Sequence, residues 1–247
     1  MKKVVFIVLV SCVLTEASVA QTVQQTLRAN NMVQRLNMSN GIISSNDLII
    51  GFDNSAAGEV VGDPYVDSHW GISSIQLEGE AKLVEGMLTR FDILSNELEF
   101  KLQEGIRVLP GSKIANVVWV DSVTQRPRFL YNGKNFKLDG APVDGFLELL
   151  VDGSVALYRK YYVEVLKPNF SPALNVGSKD TKVLRKYWLV FAQDGNLHQV
   201  KSRKSLDQLN PELRANANKI VEQHKLNLKN ETDVVRLFTL MTQEGKN

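Results

Sequence analysis

From Ile72 to Val200 the apolar residues recur with a period of two, in short blocks separated by turn dipeptides. Successive side chains of a strand point to opposite faces, so this alternation suits half-buried strands and not an amphipathic helix. The expected strands cover 72–77, 83–93, 97–102, 106–109, 114–120, 128–131, 135–138, 146–151, 155–165, 183–192 and 197–200. Asn132-Gly133 and Asp152-Gly153 offer the residues that tolerate positive φ in type I′ hairpins. Asp194-Gly195-Asn196 and Ser95-Asn96 serve similar turns. Hairpins make neighbouring strands antiparallel and leave no βαβ crossover, which argues against a doubly wound fold. The expected class is mainly β (α+β): an antiparallel β meander, sandwich or partly closed barrel, followed by two C-terminal helices. The strands lack the sustained lipid-facing alternation of a membrane-spanning barrel.

Two strands show how the faces divide. In 155–165 one face carries Val155, Leu157, Tyr161, Val163 and Val165, breached only by Arg159. The other carries Ala156, Tyr158, Lys160, Tyr162 and Glu164. In 183–192, Tyr187, Leu189 and Phe191 point one way, and Lys186, Trp188 and Val190 the other. Tyr158, Tyr162 and Trp188, interleaved with lysines, form a candidate ligand platform. Cross-strand aromatic pairing explains the same pattern without a ligand.

After Arg203 the period lengthens. Asn210-Pro211-Glu212 reads as a helix start: a capping side chain, proline in the first turn, and an acid near the positive end of the dipole. Leu213, Ala217, Ile220, Val221 and His224 follow on one face. Asn230 or Thr232 caps a last helix whose stripe is Val234, Leu237, Phe238 and Met241. Charge divides with structure: residues 21–181 hold 15 basic and 19 acidic side chains, whereas 182–247 hold 12 and 7. The basic tail is expected to pack on an acidic sheet face, with peripheral contact to acidic lipid headgroups as the alternative. Lys plus Arg is 29 and Asp plus Glu 27 over the whole chain, too balanced to draw it to nucleic acid.

The N-terminus is read as an export signal. Met1-Lys2-Lys3 precedes an apolar run from Val4 to Leu14, and Ser18-Val19-Ala20 puts small residues at −3 and −1 of a cleavage site after Ala20. A span of a ~30 Å hydrocarbon core needs about 20 apolar residues, more than this run or any other provides, so no transmembrane helix is expected. Leu9-Val10-Ser11-Cys12 offers a rival reading, a lipoprotein anchored at Cys12. Residues 21–62 form a polar segment and linker, 63–203 the antiparallel β domain, and 204–247 the helical segment.

Three stretches carry a resemblance: Val61-Gly62-Asp63-Pro64-Tyr65-Val66; Arg90-Phe91-Asp92-Ile93 running into Asn96-Glu97-Leu98-Glu99-Phe100; and Lys204-Ser205-Leu206 through Leu226-Asn227-Leu228 to Asp233. They resemble a group of exported proteins of unassigned function from Bacteroides-type Gram-negative bacteria. In that group a Gly-x-Pro-Tyr opening leads into a β meander and a Leu-rich helical end. Asp63 inside the opening motif and a longer polar N-terminal segment depart from the pattern. The resemblance covers about residues 60–242 and implies a periplasmic or cell-surface location; it implies no catalytic residue.

No signature of catalysis stands out. His69, His198 and His224 lie far apart, without the spacing of a zinc site. There is no closed Gly-x-Ser-x-Gly elbow, phosphate loop or dinucleotide fingerprint. Cys12, the sole cysteine, lies in the signal, so thiol catalysis is not expected of the mature chain. Glu97 and Glu99 read as a solvated strand face. No cofactor, metal or catalytic residue is assigned. The densest polar cluster is Asp63, Asp67 and His69, which two carboxylates and an imidazole make the candidate for acid–base work. The expected role is non-enzymatic binding or scaffolding toward an envelope protein or a glycan. The alternative is a carbohydrate- or peptide-active protein using Asp63, Asp67 and His69. Export predicts that intact mass of protein from the cell envelope matches a chain starting at Gln21; a lipid-modified Cys12 terminus favours the rival, and an uncleaved cytosolic chain refutes both.

Overall fold

The computed structural model describes residues 59–244, apart from Lys82, Ser122, Pro172 and Ala173. The expected export signal, with its Ala20 site and Cys12, lies outside the described residues. Among the described residues there are thirteen strands: β1 (Val60–Val61), β2 (Gly71–Leu77), β3 (Leu83–Asp92), β4 (Glu97–Leu102), β5 (Gly105–Pro110), β6 (Ile114–Val120), β7 (Pro127–Asn132), β8 (Lys137–Leu138), β9 (Ala141–Pro142), β10 (Phe146–Val151), β11 (Ala156–Leu166), β12 (Thr181–Gln193) and β13 (Asn196–Gln199). Two α-helices follow, α1 (Pro211–His224) and α2 (Glu231–Glu244). The architecture is mainly β, a large and mostly antiparallel open sheet with two C-terminal helices, as the alternation and the caps imply.

The described residues divide into two compact units, 59–61 with 166–182, and 62–165 with 183–244. In the described part of the smaller unit β1 pairs in parallel with Thr181 and Lys182. The Glu59 backbone N–H donates to Asp180 Oδ1 at 2.9 Å. A strand thus stands where the sequence suggested only linker at Val60-Val61.

In the larger unit the strand order is β5-β4-β3-β2-β6-β7-β10-β11-β12-β13-β8-β9. Most neighbours are local hairpins. At Asp194-Gly195 both residues adopt positive φ, 51° and 75°, and Gln193 pairs with Asn196, as the turn chemistry requires. Two other expected type I′ turns are not made. Asn132 instead caps a short 3-10 helix (Gly133–Asn135), accepting from the Lys134 N–H at 3.0 Å. The chain then leaves as the β8–β9 hairpin, so β7 pairs with β10 and not with the next segment. Asp152 and Gly153 lie in a longer connection, and a Cβ on Gly153 would sit 2.3 Å from Thr242 Oγ1 of α2. That glycine serves helix packing, not turn geometry.

The β8–β9 insertion reveals how the sheet bends. β8 pairs in parallel with β13, five strand spacings from β7. In a flat sheet that is roughly 24 Å, at about 4.8 Å per spacing. The five residues from Asn132 to Lys137 reach at most about 17 Å. The strands from β7 to β13 must therefore curl across the face that β8 and β9 cover. Under the hairpin lie Leu147, Val190 and Leu197, packed with Phe136, Leu138 and Val143.

The opposite face is filled from two ends. One apolar cluster takes Ile75, Phe91, Leu98, Val117, Trp119 and Phe146 from the first half of the sheet. The other joins Leu157 and Phe191 to Ile220, Leu237 and Phe238 of the helices. Asn210 caps α1 by accepting from the Leu213 N–H at 2.9 Å, and Asn230 caps α2 by accepting from the Thr232 N–H at 3.0 Å. The expected stripes of both helices face the core, with Leu213 half-buried against it; only His224 is exposed. Hydrocarbon, and not the anticipated match of a basic tail to an acidic sheet, seats the helices; the ion pair at this contact has its acid on α2 and its base on β11. Each fully buried Leu or Phe here contributes about 2 kcal/mol. No helix among the described residues is long and apolar enough to cross a membrane.

Glu99 corrects a further expectation. It is not solvated but 4% exposed. Arg90 Nε donates to its Oε2 at 2.7 Å, and the Tyr65 hydroxyl to its Oε1 at 3.1 Å. The Arg90 guanidinium lies 3.9 Å from the Tyr65 ring centroid and 4.4 Å from that of Trp70, so the Pro64-Tyr65 segment lids an ion pair. The Gly153 contact yields a test. Gly153→Ala should lower stability by about 1–3 kcal/mol through overpacking. In a Thr242→Ala background, where Oγ1 and Cγ2 are gone, chemical denaturation should show most of that loss removed.

Candidate functional site

The cross-strand register places four polar side chains on the helix-covered face. Trp119 opposes Arg128, Leu130 opposes Glu148, and Glu148 opposes Arg159. Paired residues share a face, and Tyr161 joins them two residues beyond Arg159. Apolar packing cannot be continuous here, so the two clusters are bridged by a charged seam.

Glu148 is its centre. It is 5% exposed and accepts four hydrogen bonds. Arg128 Nε donates to Oε1 at 2.7 Å and Arg128 Nη2 to Oε2 at 3.1 Å. Arg159 Nη1 and the Tyr161 hydroxyl donate to Oε2 at 2.8 and 2.7 Å. Arg159 Nη2 also pairs with Glu231, the first residue of α2, to which the Tyr187 hydroxyl donates as well. Burial acts to raise the Glu148 pKa, but the bonds and charges of Arg128, Tyr161 and Arg159 outweigh it and hold the carboxyl below its ordinary value. Burial and the neighbouring Glu148 charge push the Tyr161 phenol up to about 12. The seam is thus ionised and locked at neutral pH.

Above it opens a cleft of about 1010 Å³. Its walls are the segment from Val66 to His69, the turn before β7, and the inner faces of β10, β11 and β12. Arg185 and Tyr187 of β12 line it, two residues apart on one face. Arg185 Nη1 donates to the carbonyls of Tyr65 and Val66, both at 2.8 Å. Tyr187 is 45% exposed; its ring meets Tyr161 edge-on at 6.1 Å, and the Arg159 guanidinium lies 4.9 Å from its centroid.

Of the residues singled out from sequence, Asp67 and His69 reach this cleft. His69 Nδ1 lies 2.9 Å from Asp67 Oδ1, which also accepts the His69 backbone N–H at 2.9 Å. Nε2 is left as the outer nitrogen of a side chain 65% exposed. Asp67 Oδ2 is 3.9 Å from Arg128. Asp63 does not join them: its Oδ1 accepts from the Tyr65 N–H at 3.0 Å. Tyr162 and Trp188 do meet, with ring centroids 4.7 Å apart. Tyr158 packs against Phe136 and, with Trp188, against the β8–β9 cluster on the other face of the sheet. The sequence does not mark the cleft residues Arg128, Glu148, Arg159, Tyr161, Arg185 and Tyr187, or Glu231 bound to them, as a site. The one local signal was Arg159, the breach in an otherwise apolar strand face. Among the described residues no group of His, Cys, Asp and Glu could hold a metal ion.

The lowered Glu148 pKa sets a pH dependence. An unfolded glutamate titrates near ~4.3, so the stability contributed by Glu148 is complete above that pH and is lost as pH falls through its lower folded value. Glu148→Gln should cost about 3 kcal/mol at pH 7, since it leaves two partly buried guanidiniums short of an anion. Thermal melts should show the gap between variant and wild type closing below about pH 4. No family model, curated protein or solved structure matches this chain.

Proposed function

We propose that this is an exported cell-envelope protein, akin to the Bacteroides-type group, that works by binding a ligand in the charged cleft and not by catalysis. The N-terminal signal pattern supports export to the periplasm or cell surface, with lipidation at Cys12 as the lesser route. The way Glu148 is held carries the binding reading. Protein donors make four hydrogen bonds to it, three on Oε2 and one on Oε1. A buried carboxylate held ionised by two arginines suits a structural centre better than a proton donor, and the floor it organises is fixed before any ligand arrives. Preorganisation of that kind favours affinity by cutting the ordering cost of binding.

One observation favours a second reading. The Asp67–His69 bond aims an exposed imidazole nitrogen at the rim of the same cleft, an arrangement able to act as a general base on a glycan or peptide. Affinity capture from envelope extracts with the mature chain as bait separates the two. Under the binding reading one ligand class is retained, released unchanged, and lost with Tyr187→Ala. Capture that ignores Tyr187→Ala overturns the cleft. Conversion of the retained material, abolished by His69→Ala while retention persists, establishes the enzyme.

A further inference from the structure

The cleft holds two kinds of cation. Arg128 and Arg159 are consumed by Glu148 and Glu231. Arg185 has no carboxylate within ion-pair distance among the described residues, and neither has Arg126 on the turn before β7. Arg185 is nevertheless fixed: its Nη1 is spent on two backbone carbonyls, which aims the guanidinium and leaves Nε and Nη2 for an incoming acceptor. Carbonyls orient an arginine without cancelling its charge, so this is a ready receptor for an anion.

Beside it stands an immobilised aromatic face. Tyr187 is held at its hydroxyl by Glu231, at its edge by Tyr161 and across its ring by Arg159, yet remains 45% exposed. Residues two apart on one strand face are separated by about 6.6 Å. A pyranose ring stacked on the Tyr187 side chain can therefore present a carboxylate on C5 to the neighbouring Arg185 side chain. The rest of the lining mixes the charged seam with Val66, Val123, Pro127, Leu149 and Leu150.

Resting on the cleft-binding reading above, we propose that the ligand is an acidic glycan: a uronic-acid or similar sugar whose ring stacks on Tyr187 while its carboxylate pairs with Arg185. Arg126 adds long-range attraction that salt weakens. Titration calorimetry on the mature chain tests this with tetragalacturonate, hyaluronan hexasaccharide and sialyllactose. At least one should bind, tenfold or more tightly than its methyl ester, and more weakly as sodium chloride is raised. Arg185→Gln should lose that tenfold, Arg185→Lys should recover part of it, and Tyr187→Phe should retain binding that Tyr187→Ala abolishes. Melting curves confirm that each variant is folded. Failure of all three probes, equal binding of the methyl ester, or preference for tetraglutamate overturns the acidic-glycan assignment. If such neutral-sugar or peptide binding is lost with Tyr187→Ala, the cleft reading stands; binding that survives Tyr187→Ala overturns both.

Discussion

The rest of the larger unit depends on one carboxylate. Glu148 takes hydrogen bonds from β7, through Arg128, and from β11, through Arg159 and Tyr161. Arg159 passes the connection on to Glu231 at the start of α2. Three strands and a helix thereby share a single ionic centre exactly where hydrocarbon packing is interrupted. Such a centre contributes little beyond a well-packed apolar core, but it tolerates no partial version: removing any one member strands the others without solvent. What it supplies is a fixed geometry, and the cleft inherits that geometry. Arg90, Glu99 and Tyr65 repeat the device on a smaller scale under the segment that forms the opposite wall.

Much of this was written locally in the chain. The parity of β11 and β12 follows from alternation, and Leu189 and Phe191 do face the helices while Trp188 and Val190 face the hairpin. The caps Asn210 and Asn230 and the stripe from Val234 to Met241 are likewise local, because a helix repeats within a few residues. Asn132-Gly133 and Asp152-Gly153 misled because the same dipeptides also suit a helical cap and a close contact. The seam could not be read, since Arg128, Glu148, Arg159 and Glu231 belong to four elements. On their own elements Arg128, Glu148 and Glu231 look like residues facing water and Arg159 like a lone breach in an apolar face; only the strand register and the helix packing bring them together.

The two faces of β12 also separate two roles that sequence alone merges. Tyr162 and Trp188 stack with each other, and Tyr158 and Trp188 lie against the β8–β9 hairpin, so their area is largely spent on the fold. Tyr187, one residue from Trp188, points to the other side and keeps nearly half its surface. Alternation by single residues thus puts a structural aromatic and an available one next to each other in the chain.

The hairpin that crosses the sheet carries a kinetic consequence. β2 to β5, β6 and β7, and β12 and β13 are pairings between near neighbours in sequence, which close short loops at little entropic cost. The contact of Leu138 with Leu197 is of another order, for it needs β10, β11 and β12 already laid down and bent between them. Non-local pairings of this type slow the search for the native state. The four residues of β8 and β9 are therefore the last stitch of the sheet, and until they close, Leu147, Val190 and Trp188 present an open apolar surface to any neighbouring chain during folding.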